Sequence, residues 1–112
     1  MRKAEIILAL DVPSASDIPA IVDSLPAINF YKVGLELFTA SGPAALDYLR
    51  KKNKRIFLDL KLHDIPRTVE RSVKAASKYG VNLLTVHAGG GRSMLKAAAD
   101  AAGDTPTMKI VA

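Results

Sequence analysis

Short apolar runs alternate with amphipathic stretches along the chain. "EIILALDV" (5–12) predicts a strand, and "SASDIPAIVDSL" (14–25) a helix with a serine at its start. "NFYKVGLELF" (29–38) begins as a strand, and "SGPAALDYLRKK" (41–52) is helical with Pro43 near its first turn. "RIFLDLKL" (55–62) is a strand, and "DIPRTVERSVKAASKYG" (64–80) a helix capped by Asp64 and closed by Gly80. "NLLTVHA" (82–88) is a strand, "GRSMLKAAADAAG" (91–103) a helix ending at Gly103, and "MKIVA" (108–112) one more strand. The order is βαβαβαβαβ. The strands lack sustained polar alternation, so both faces should be buried, which argues for an α/β fold with a parallel sheet covered by helices. No linker or low-complexity segment divides the chain, so a single domain over 1–112 is expected. A doubly wound sheet and part of a barrel both fit this order. A closed barrel needs eight units over about 250 residues, so a barrel reading makes this about (βα)4 plus one strand.

The charges break the apolar pattern at particular places. In "FLDLKLHDIPRTV" (57–69), Asp59, Lys61, His63 and Asp64 sit among leucines and isoleucine. Strand side chains alternate, which puts Phe57, Asp59, Lys61 and His63 on one face and Leu58, Leu60 and Leu62 on the other. Asp11 closes the first strand, Lys32 comes late in the second and His87 closes the fourth. In α/β sheets and barrels the C-terminal ends of the strands carry the active site, so Asp11, Lys32, Asp59, Lys61 and His87 should converge at one rim. Each residue also has a plainer reading. Asp64 is a helix cap, His87 bonds a backbone carbonyl, Lys32 snorkels to solvent, and Asp11 caps the turn before Pro13. The Asp59–Lys61 pair resists such a reading, because burying an ion pair costs desolvation and adds little stability.

Composition narrows the function classes. The chain has 112 residues, 49 % of them hydrophobic, and no cysteine, which excludes disulfide and thiolate chemistry. The net charge is +5, much of it in "RKKNKR" (50–55). A nucleic-acid patch would interleave aromatic residues with the cations; none do, so the run reads as a solvated helix end and no nucleic-acid partner is expected. The apolar run after the basic start "MRKAEIILALD" is too short for a signal sequence or a membrane span, so a cytoplasmic protein with no membrane partner is expected. "HAGGGRS" (87–93) lacks the spacing of a dinucleotide or P-loop motif; its glycines serve a tight turn or a weak phosphate cradle.

"LALDV", "YKVGLELF", "FLDLKLHDIPRTV" and "TVHAGGG" together resemble the successive strand motifs of the orotidine 5′-phosphate decarboxylase family. Asp59-x-Lys61-x-x-Asp64-Ile65-Pro66 is the most specific part. The resemblance implies part of a TIM (β/α)8 barrel and a lyase of pyrimidine biosynthesis. Such an enzyme removes CO2 from orotidine 5′-monophosphate to give UMP, without metal or cofactor. It implies a catalytic Lys-Asp-Lys-Asp network at Lys32, Asp59, Lys61 and Asp64. Asp11 and Lys32 would bind substrate, Asp11 at the ribose, and His87 would stand at the rim. Asp64, Ile65 and Thr68 would reach into the partner's site of a homodimer. Lys61 would stabilise the charge left on the ring and protonate it. Asp59 would lie near the substrate carboxylate, while Lys32 and Asp64 orient Lys61.

The family grips phosphate with loops after the last barrel strands, which this chain does not contain. The expectation is therefore a truncated N-terminal half-barrel, inactive alone and self-associating through open edges. Two other readings remain. One is a metal-dependent sugar-phosphate decarboxylase or aldolase, with Glu36 as a ligand for Mg²⁺. The other is a non-catalytic half-barrel that serves assembly.

Overall fold

The computed structural model describes residues 3–112, so Arg2 of the basic start lies outside the described residues. The strands are β1 (Leu8–Ala9), β2 (Phe30–Gly34), β3 (Arg55–Leu62), β4 (Leu83–Val86) and β5 (Lys109–Val111). The helices are α1 (Ile18–Ser24), α2 (Leu35–Ser41), α3 (Ala44–Lys51), α4 (Pro66–Ser77) and α5 (Arg92–Ala102). Strand order follows chain order, β1-β2-β3-β4-β5, and the pairs β1–β2 and β4–β5 are parallel. The α/β class with parallel strands, as in part of a (β/α)8 barrel, is therefore as the sequence predicts. The chain divides into two compact units, the first ending at Phe57 and the second spanning Leu58–Ala112. β3 passes from one into the other.

In the first unit, β1 and β2 register Leu8 with Tyr31 and Ala9 with Lys32. Tyr31 and Val33 alternate with Lys32 along β2; both are fully buried, whereas Lys32 is half-buried. Ile18 and Val22 from α1 and Leu46 and Leu49 from α3 complete this core. Each such burial contributes about 1.5–3 kcal/mol. Tyr31 Oη is buried without a hydrogen-bond partner, and burial pushes its phenol above the ordinary 10.0. The Arg55 guanidinium pairs with Glu5 and lies over the Phe30 ring, 4.4 Å from its centroid.

Two expectations need correction here. β1 covers two residues, not 5–12. Its register sets Ile7 opposite Phe30, the first residue of β2, so no strand remains opposite Glu5 and Ile6, and Ile6 is 65 % exposed. The segment 29–38 begins as the expected strand, but a second helix, α2, follows it where a single helix was expected before β3. Leu35 and Leu37 mimic strand alternation, but the backbone turns helical after Gly34 and only Leu37 is buried. Gly42, at φ +62°, then lets the chain leave α2 before Pro43 caps α3.

In the second unit, α4 buries Val69, Val73 and Ala76, and α5 buries Met94, Ala98 and Ala101. Steps of four and three residues put each trio on one helix face, and the two helices pack on each other. Gly103 caps α5, as its sequence suggests. Asp64, however, does not cap α4. Ile65 holds that position in extended conformation, and Asp64 Oδ1 accepts the Ile65 N–H at 2.7 Å. Pro66 opens the helix with its φ already fixed and no N–H to satisfy. The helix ends at Ser77; Gly80, at φ +73°, serves the turn beyond it. β4 and β5 register Leu83 with Lys109 and Thr85 with Val111. Leu84 and Val86 are buried, whereas Leu83 and Thr85 are half-buried, so β4 is covered on one face more than the other.

Candidate active site

β3 carries its charge at its C-terminal end, inside the second unit. Asp59 is the one buried charged residue among those described, 6 % exposed. Its carboxylate is held from two directions. Oδ2 accepts Lys61 Nζ at 2.8 Å, and Oδ1 accepts the Thr85 hydroxyl at 2.7 Å. A carboxylate removed from water needs such donors, because burial without them is costly. The Lys61 side chain is 64 % exposed, so its ammonium contacts the buried acid on one side and open space on the other.

Strict alternation fails at this point. Lys61 has φ +50°, in the left-handed region that a lysine seldom occupies. Its N–H donates to Thr85 Oγ1 at 3.0 Å. Leu58 and Asp59 are buried in succession, while Leu60 and Leu62 are only half-buried. The expected division of β3 into a charged face and a leucine face therefore does not persist to the strand's end.

The ends of β3 and β4 each supply a histidine, and the two are in contact. The His63 and His87 rings stack with centroids 4.6 Å apart and planes 17° from parallel. The His87 N–H donates to Leu62 O at 2.9 Å, which ties the end of β4 to the end of β3. His87 does not bond a carbonyl through its ring; Nδ1 instead accepts the Gly89 N–H at 2.9 Å. Two of the glycines after it lie close to side chains, whereas the third, Gly91, stands in open space at φ +89°. A Cβ on Gly89 would stand 2.9 Å from His87 Nδ1, and one on Gly90 2.1 Å from Met94 Sδ.

Of the residues singled out from sequence, Asp59 and Lys61 are in direct contact. Asp64, Ile65 and Thr68 lie together and exposed around the start of α4, with Ile65 at 66 %. Lys32 sits on β2 and Asp11 just beyond β1, both in the first unit. Glu36 is exposed in the first turn of α2. Thr85 was missed. The available signal was a hydroxyl residue two positions before His87, hence on the same strand face, within an otherwise apolar run.

A carboxylate fixing an exposed lysine at a strand end is equipped to place positive charge and a proton against a small anionic molecule. The family model for orotidine 5′-phosphate decarboxylase / HUMPS matches residues 4–112. The chain belongs to this family. It is 54 % identical over 101 residues to the orotidine 5′-phosphate decarboxylase of Nostoc sp., covering 90 % of this chain and 42 % of the relative. With the enzyme of that name from Gloeothece citriformis it is 52 % identical over 108 residues, covering 95 % and 47 %. The crystal structure of orotidine 5′-phosphate decarboxylase from Lactobacillus acidophilus superimposes with a TM-score of 0.85 at 37 % identity. That alignment covers 96 % of this chain and 51 % of the crystal chain. The chain thus spans less than half the length of these two curated relatives.

Proposed function

We propose that these residues form part of the active site of an orotidine 5′-monophosphate decarboxylase, producing UMP and CO2. The reading rests on the Asp59–Lys61 pair at the end of β3 in a chain of this family. The bond from the ring to the carboxylate breaks, CO2 leaves, and the electron pair stays on the ring carbon. The Lys61 ammonium faces that carbon, stabilises the developing charge and delivers the proton. Because the cation is already held by Asp59, little of its reorganisation falls within the chemical step. Lys32 and Asp64 complete the network, and Asp11 and His87 contact the substrate. Asp64, Ile65 and Thr68, exposed at the start of α4, serve a partner subunit in a homodimer. The reaction uses no metal or cofactor, and the protein works in the cytoplasm. No helix among the described residues is long and apolar enough to cross a membrane.

The test is a chimera in which residues 4–112 replace the matching region of the Nostoc enzyme. Orotidine 5′-monophosphate consumption is followed by ultraviolet absorbance, with and without chelator. Activity that survives chelation and falls at least about a thousandfold in Lys61→Ala is expected, since the variant lacks both the charge and the proton donor. Retention of near-normal turnover in Lys61→Ala would remove that residue from the acid role. Loss of activity on chelation would favour the metal-dependent chemistry.

A further inference from the structure

Lys61 and Asp59 form the ion pair, but both depend on a third residue. Thr85 lies half-buried on β4, and its single hydroxyl touches each of them. The oxygen accepts the Lys61 N–H at 3.0 Å, and the hydroxyl proton goes to Asp59 Oδ1 at 2.7 Å. An ionised carboxylate can only accept, so the direction of the second bond is fixed. It is also short and charge-assisted, and therefore among the stronger hydrogen bonds.

The two bonds act on different ends of the ion pair. The first engages Lys61 where its backbone is in the left-handed region, at φ +50°. A lysine stays there only when its surroundings hold it. The second occupies one carboxylate oxygen of Asp59 and leaves the other, Oδ2, for Lys61 Nζ. The rotation of the carboxylate and the direction in which Lys61 leaves the strand thus share one anchor. We propose that Thr85 is a positioning residue that sets the Asp59–Lys61 geometry from the neighbouring strand. Its effect on turnover rests on the decarboxylase reading above; its hold on Lys61 does not.

The test compares Thr85→Val, which keeps the shape and loses the hydroxyl, with Thr85→Ser, which keeps the hydroxyl. Amide hydrogen exchange is read by NMR on the 112-residue chain. In Thr85→Val the Lys61 amide should exchange at least about fivefold faster, while Leu84 on the same strand keeps its rate. In Thr85→Ser, Lys61 should stay within about twofold of the parent, because the acceptor remains. An unchanged Lys61 rate in Thr85→Val overturns the proposal. So does an equal acceleration at Leu84, which reports general loss of stability.

Turnover of the same variants in the chimera supplies the second arm. Thr85→Val should lower kcat about 10- to 100-fold with KM within about threefold, and Thr85→Ser should restore most of it. Full kcat in Thr85→Val overturns the positioning role even if Lys61 exchange has changed. An inactive parent chimera would count against the decarboxylase reading, while the exchange data would still decide whether Thr85 holds Lys61.

Discussion

Replacing Lys61 by glycine should give a more stable protein than replacing it by alanine. Both substitutions remove the ammonium and its bond to Asp59, so that loss cancels in the comparison. What remains is the backbone at φ +50°. A residue with a Cβ costs about 1–2 kcal/mol in the left-handed region, and glycine avoids this. Glycine gives back about 0.5–1 kcal/mol through the larger freedom of its unfolded chain. The net preference for Lys61→Gly over Lys61→Ala is therefore up to about 1.5 kcal/mol and centred at about 0.8 kcal/mol, the latter about 3–6 °C in melting temperature for a domain of this size. Urea unfolding followed by circular dichroism measures it. Lys109, exposed on β5 without a positive φ, is the control. There glycine should be the less stable variant by about 0.5–1 kcal/mol. If Lys61→Gly is no more stable than Lys61→Ala, the strain argument fails. Lys61 would then hold its conformation without cost, and Thr85 would have nothing to restrain.

Tyr31→Phe removes a buried hydroxyl without a partner and should stabilise the protein by about 1 kcal/mol; destabilisation would mean that Oη makes a bond the structure does not account for. Burial raises the Tyr31 pKa above 10.0, so above that pH the unfolded chain releases a proton that the folded one keeps. Stability should therefore fall as pH rises past about 10, less steeply in Tyr31→Phe than in the parent. Tyr48, raised first by its hydrogen bond to Asp23, adds to the slope that remains. Identical alkaline slopes in the two proteins would exclude Tyr31 as a contributor. Gly90→Ala should cost about 1–3 kcal/mol by overpacking, because its Cβ would stand 2.1 Å from the sulfur of buried Met94. A neutral result in thermal melts would mean that Met94 repacks freely.

Much of this fold was legible because period and punctuation agreed. β3 ran over the predicted 55–62, and α5 stopped at its glycine. Errors arose where two physical signals competed. Leu35 and Leu37 carry a strand-like alternation on a segment that the backbone turns into a helix after Gly34. Asp64 looks like a cap, but the Ile65-Pro66 pair starts α4 one residue later. Asp59 and Lys61 were visible in the candidate site because charge in an apolar strand is costly. Thr85 was not, because a threonine in a strand is ordinary and its role depends on which residue of β3 lies beside it. The positive φ of Lys61 has no signature in the sequence, since lysine is a poor choice for it.

The hydroxyl of Thr85 also has a consequence for how the second unit finds its fold. A strand of leucines and valines can slide past its neighbour by one residue, and such a slip moves every side chain to the opposite face. Around β3 and β4 the error would set Leu84 or Val86 where Thr85 belongs, and Asp59 Oδ1 would lose the Thr85 hydroxyl. Misalignment would then incur the cost of an under-solvated charge as well as misplaced hydrophobic groups. Asp59 thus acts as an alignment mark, penalising the slipped pairings that a purely apolar strand would accept.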